Sequence, residues 1–142
     1  AGGAAHYMTE KESCEALGLT LVDCTLQARH AAPREDILDV IAAFRSIERP
    51  FVMHCKSGAD RAGFASAIYL IVMEKQPISV ARRMLSPKYA HLKWTKTGIL
   101  DFILDQFAAR QSETGMDFET WIATEYDHLE MQTAYETKRG RA

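Results

Sequence analysis

Long apolar runs are absent from this chain. The longest, over residues 65–73, is too short to cross a bilayer. Cysteine is scarce: there are three, Cys14, Cys24 and Cys55, odd in number and widely scattered. That is no disulfide framework, and it fits a reducing, cytoplasmic compartment. Strong charge of either sign is missing as well. The formal net charge is −2, which offers no nucleic-acid surface, so any anion binding must be local. No metal is expected, because His54 beside Cys55 lacks companions at zinc spacing. The opening "AGGAAHYM" has no apolar segment behind it and is not a signal peptide. Repeats, low-complexity tracts and linkers are also lacking.

What remains is an ordinary globular composition. The 142 residues suit one domain, residues 1–142, with a real core; 47% are apolar and 25% charged. Thr9-Glu10-Lys11-Glu12 matches a capping box and predicts a short helix ending near Gly18. Residues 19–26, "LTLVDCTL", alternate apolar with small or polar groups and predict a strand. The loop "QARHAAP" follows. Pro33, Glu35 and Asp36 then suit the first turn of a helix, and Ile37, Val40, Ile41 and Phe44 recur at helical spacing. That helix must stop before Pro50. "PFVM" has the length of a buried strand and leads straight into Cys55.

From Arg61 to about Lys75 the pattern is helical and apolar on most sides, as in a central helix. Pro77 and Ser79 start another helix, through about Leu85. "SPKYAHLKWTKTG" is a polar loop bearing aromatics, with Trp94 expected in the core. Leu100, Ile103, Leu104 and Phe107 mark the next helix; Phe118, Trp121, Ile122 and Leu129 mark a long last one that frays in "ETKRGRA". Strands alternate with helices first and helices fill the second half. The expected fold class is therefore α/β, a small, mostly parallel sheet flanked by helices. Two strands make a poor sheet, so further strands are to be expected.

The stretch "HCKSGADRAG", residues 54–63, concentrates the chemistry. A strand, a turn from Cys55 to Arg61 and then a helix make an anion trap. Main-chain N–H groups of the turn can converge on one point, and the helix adds its positive end. Gly58 and Gly63 relieve steric limits where the backbone bends or packs closely. Arg61 can fork two hydrogen bonds onto phosphate oxygens at any working pH. The same field lowers the Cys55 thiol: a free one titrates near ~8.5, and such settings move it to roughly 3.5–7.5. A thiolate so placed would displace a leaving alcohol and form a cysteinyl-phosphate that water hydrolyses. The contrary reading is an inert, buried cysteine at a strand end.

His-Cys-(five residues)-Arg, as it stands at residues 54–61, resembles the signature of the protein tyrosine phosphatase superfamily, and most of all its dual-specificity branch. Most of the chain shares in the resemblance. It is particularly similar to bacterial dual-specificity-type domains, a type also found fused to NAD kinases. The resemblance implies a central sheet of four or five strands and hydrolysis of a phosphorylated substrate (protein, lipid head group or small molecule) with neither metal nor other cofactor. By position it makes Cys55 the nucleophile and Arg61 the phosphate ligand. The amides from Lys56 through Ser57, Gly58 and Ala59 to Arg61 form the cradle, and His54 steadies the loop. Strands precede residues 19–26 in that family, so the chain resembles such a domain with its N-terminal portion removed or not supplied.

Two departures stand out. The family's usual aspartate acid is missing from "QARHAAP", which leaves His30, Glu35, Asp36 or none. Asp60 is the better candidate, because "GADR" is similar to the loop ending of myotubularin phosphoinositide phosphatases; an N-cap for the following helix is the alternative role. Ala62 stands where the family commonly has serine or threonine, with Ser57 as the available substitute. Lys56 resembles the lysine of phosphatase-and-tensin-type enzymes, and Tyr89, His91, Lys93, Trp94 and Lys96 could wall the site. The rival readings are a phosphoinositide or small-molecule phosphatase, a weakly active phosphate-binding module, and a sulfur-transfer or arsenate-handling enzyme.

Overall fold

The computed structural model describes residues 2–140, and among them the chain forms seven α-helices. The first, α1 (Gly2–Ala16), lies largely exposed, with no apolar stripe turned inward. It begins well ahead of the expected capping box. Thr9 sits inside it and its hydroxyl donates to the Ala5 carbonyl at 3.1 Å instead of capping. Gly18, at φ +69°, turns the chain away after the helix. Polar contacts hold α1 down: the Tyr7 hydroxyl donates to Asp23 at 2.6 Å, and Glu10 pairs with His54 at 2.5 Å.

Pro33 precedes α2 (Arg34–Ser46), and Glu35 and Asp36 fill its first turn, where the helix end is positive. Its buried face is the predicted one: Ile37, Val40, Ile41 and Phe44. The central helix, α3 (Asp60–Val72), buries Phe64, Ala67, Ile68, Ile71 and Val72. Gly63 is needed there because a Cβ would lie 2.7 Å from the Met84 carbonyl oxygen. A short α4 (Ile78–Ala81) follows Pro77 and tightens into a 3₁₀ turn, Arg82–Met84. Two further 3₁₀ turns, Pro87–Tyr89 and Lys96–Gly98, shape the next loop.

The second half is helical, as expected. α5 (Ile99–Thr114) ends at Gly115, α6 (Phe118–Thr124) is capped by Asp117, and α7 (His128–Gly140) completes the fold. The last two replace the single long helix expected there. Asp127 makes the break: its carboxylate accepts from the Leu129 and Glu130 N–H groups at 2.9 Å each and starts a new helix. Leu129 consequently points outward, 66% exposed. α7 runs on to Gly140, and the remainder of the expected frayed end lies outside the described residues.

One core joins these helices. α3 packs on α2, α4 and α6, while α5 packs on α6 and α7. Phe64, Phe107, Phe118, Ile103 and Leu104 are fully buried in it. Burial of each such side chain contributes roughly 1.5–3 kcal/mol relative to exposure. The ring of Phe107 meets Phe118 edge-on, with centroids 5.1 Å apart. No helix among the described residues is long and apolar enough to cross a membrane.

The expected α/β class is wrong for this structure. Among the described residues there is no strand, and the architecture is all-helical. Residues 19–26 and 50–54, expected as strands, are non-helical, but no main-chain ladder joins them, and Val52 in the second is exposed. A strand is defined by its partner: β-prone residues without one remain irregular chain. Both segments instead line a cavity of about 870 Å³.

Candidate active site

The sequence pattern at residues 54–63 folds as a non-helical entry, a bend and a helix start. Residues 50–55 lead in without secondary structure, residues 56–59 bend, and α3 begins at Asp60. Gly58 takes φ +71°, a conformation that a side chain would strain. Ala59 is buried at 5% exposure and pins the bend to the core. Lys56, Ser57 and Gly58 stay exposed, which leaves the bend open to solvent.

Cys55 is half-buried and lines the cavity together with Arg61. Partial burial alone would push its thiol up. Against that act the main-chain N–H groups of Ala62, Ser57 and Gly58 and the positive charge of Arg61. The outcome is a thiol below the ordinary cysteine value. Cys14 and Cys24 line the same cavity, and all three thiols are free. Cys24 goes the other way. The residue is exposed overall, yet partial desolvation, then Asp39, then Asp23 raise its thiol.

Arg61 forms no ion pair and no side-chain hydrogen bond among the described residues, so its guanidinium is available to a ligand. Its neighbour Asp60 is engaged. The Asp60 carboxylate does not cap α3; it meets His91 Nδ1 at 2.8 Å. His91 Nε2 meets Asp101 Oδ2 at 2.6 Å, and the ring between them is 1% exposed. Three elements thus converge here: the start of α3, the 86–98 loop and the first turn of α5.

The loop bearing His91 is itself fixed. The Tyr135 hydroxyl of α7 donates to the Thr95 carbonyl at 3.0 Å. A Cβ on Gly98 would lie 1.9 Å from the Lys93 carbonyl oxygen, so only glycine fits there. Trp94 is not in the core: it is 67% exposed, beside the exposed Lys93 and Lys96.

Of the other acid candidates, His30 and Glu35 are exposed and Asp36 is half-buried. None of the three lines the cavity that holds Cys55 and Arg61, and neither does Asp60. His54 turns its Nε2 to Glu10 on α1. No group of three or more His, Cys, Asp or Glu side chains among the described residues could hold a metal ion. Asp101 was outside the sequence-level candidates, since a carboxylate in the first turn of a helix reads as a solvated favourable charge. Nothing in its spacing from Asp60 marks the two as sharing a histidine.

Comparison with known proteins adds one match. A sequence model of the tyrosine phosphatase family matches residues 4–130 of this chain, which contain the bend, its flanking helices and α5 with Asp101. No curated protein and no solved structure matches it.

Proposed function

The chain belongs to the tyrosine phosphatase family, and from that premise we propose that it hydrolyses phosphate monoesters through a cysteinyl-phosphate on Cys55. The observation that supports this most is the lowered Cys55 thiol in a bend whose own N–H groups and Arg61 favour its ionised form. Groups that stabilise a thiolate there are the groups that would hold a phosphoryl oxyanion.

In the first step the Cys55 thiolate attacks phosphorus while Arg61 and the N–H groups of the bend bear the charge on the non-bridging oxygens. The bond to the leaving oxygen breaks, and that oxygen takes a proton from Asp60. In the second step water attacks the phosphorus of the cysteinyl-phosphate. The S–P bond breaks, its electron pair returns to sulfur, and Asp60 recovers a proton from the water. Asp60 is assigned the acid role because it stands at the start of α3, between the bend and Arg61, and one of its two carboxyl oxygens makes no hydrogen bond. His54, Lys56, Ser57 and Ala59 are assigned to holding the substrate. The substrate class we favour is a phosphorylated protein side chain, of tyrosine or of serine and threonine.

Turnover of an aryl phosphate tests the reading. Cys55→Ser is expected to abolish it while inorganic phosphate still binds. Arg61→Lys keeps the charge but loses the fork, and is expected to cost on the order of 10²–10³ in rate, as for loss of one oxyanion donor. Full activity in Cys55→Ser would remove the cysteinyl-phosphate from the mechanism.

A further inference from the structure

His91 is the only buried histidine among the described residues, and both of its ring nitrogens face carboxylates. Each of the two N···O contacts, at 2.8 Å and 2.6 Å, needs a proton between its atoms. A neutral imidazole has one N–H and can supply only one of them. Satisfying both contacts takes at least one proton more than a neutral histidine between two ionised carboxylates supplies. Without it, a nitrogen lone pair and a carboxylate would face each other out of water, a costly arrangement.

We infer that His91, backed by Asp101, is a positioning residue that fixes the direction of the Asp60 carboxyl group and so aims the proton that Asp60 gives to the leaving group. This rests on the reading of Asp60 as the acid. In the donor state His91 gives its Nε2–H to Asp101 and its Nδ1–H to one Asp60 oxygen, and the transferable proton is on the other Asp60 oxygen. As the leaving group departs, the P–O bond breaks and its electron pair takes that proton. Asp60 is left a carboxylate still held by His91 Nδ1–H. When water attacks the cysteinyl-phosphate, one of its protons returns to Asp60 and the cluster is restored. His91 never touches substrate; it sits behind the acid, on a loop held by Tyr135 and Gly98.

The arrangement could instead be a staple between α3 and α5 with no part in proton transfer, and leaving-group dependence separates the two. The purified chain and its variants are assayed on 4-nitrophenyl phosphate, whose leaving group needs little protonation, and on an alkyl phosphate, whose leaving group needs it fully. Asp60→Asn is expected to lose about 10²–10⁴ on the alkyl ester and far less on the nitrophenyl ester. His91→Gln and the near-isosteric Asp101→Asn are expected to show the same bias at roughly a tenth of that size or more. A staple would lower both substrates equally.

Bias in either variant supports the inference. Equal losses on the two esters in both variants, with Asp60→Asn still biased, overturn it and leave Asp60 as the acid. An unbiased Asp60→Asn overturns the acid assignment itself. If His91→Gln does not fold, Asp101→Asn decides alone, because its partly exposed carboxylate tolerates an amide of the same shape.

Discussion

Residues 19–26 and residues 55–61 border one cavity and each carries a cysteine, yet the two cysteines are driven in opposite directions. Around Cys55 the chain bends into a helix start, so N–H groups with no intrahelical partner point at the sulfur and an arginine stands in the first turn. Around Cys24 the chain is irregular and the nearby charges are carboxylates. Residue type is the same and so is the cavity. The chain and charges around each residue lower one thiol and raise the other.

Exchanging the two thiols for hydroxyls gives the largest expected effect. Cys55→Ser should cut turnover of an aryl phosphate by on the order of 10⁴ or more, the scale seen when a catalytic nucleophile is removed. Cys24→Ser should leave kcat within about twofold, since a raised thiol is protonated at neutral pH and does not attack. A comparable loss in both variants would mean that the cavity as a whole, and not the bend, carries the chemistry.

Residues 19–26 and the α5–α6 pair also differ in how they are held. Residues of α5 and α6 interlock, with Phe107 fully buried against Phe118 and Trp121. Val22, by contrast, is 43% exposed on unpaired chain. Phe107→Ala should cost about 3–5 kcal/mol of folding stability in denaturant titration, as large aromatic truncations in cores do. Val22→Ala should fall within ±0.5 kcal/mol, as surface changes usually do. A large loss at Val22 would show that residues 19–26 are packed in solution more firmly than their exposure indicates.

This contrast also explains what could be read from the sequence. Helix α2 was legible almost residue by residue, because Pro33 and the acidic first turn are local signals and the spacing of Ile37, Val40, Ile41 and Phe44 is periodic over several turns. The bend at Cys55 was legible because glycine, arginine and a following apolar helix are all nearby in sequence. The sheet failed for the opposite reason. Residues 19–26 have the alternation of a strand, but whether a strand forms depends on a neighbour elsewhere, which alternation does not encode. His91 and Asp101 failed similarly. Their meeting with Asp60 spans 31 residues in one case and depends on how α3 and α5 approach. Trp94 was expected inside, and it is 67% exposed.

The smallest expected effect tests the contrast most directly. Alkylation by iodoacetamide, followed by peptide mass analysis across pH, reports the thiolate fraction at each cysteine separately. A free thiol titrates near ~8.5; Cys55 should be half-reactive below that pH and Cys24 above it, following their opposite shifts. At neutral pH Cys55 is therefore the faster of the two. Arg61→Ala then separates the causes at Cys55. Arginine acts there after the three main-chain donors, so removing its charge should raise the Cys55 midpoint but leave it under that of Cys24. If the midpoint instead rises to meet that of Cys24, the guanidinium and not the bend is the main source of the thiolate, and the backbone account of the difference fails.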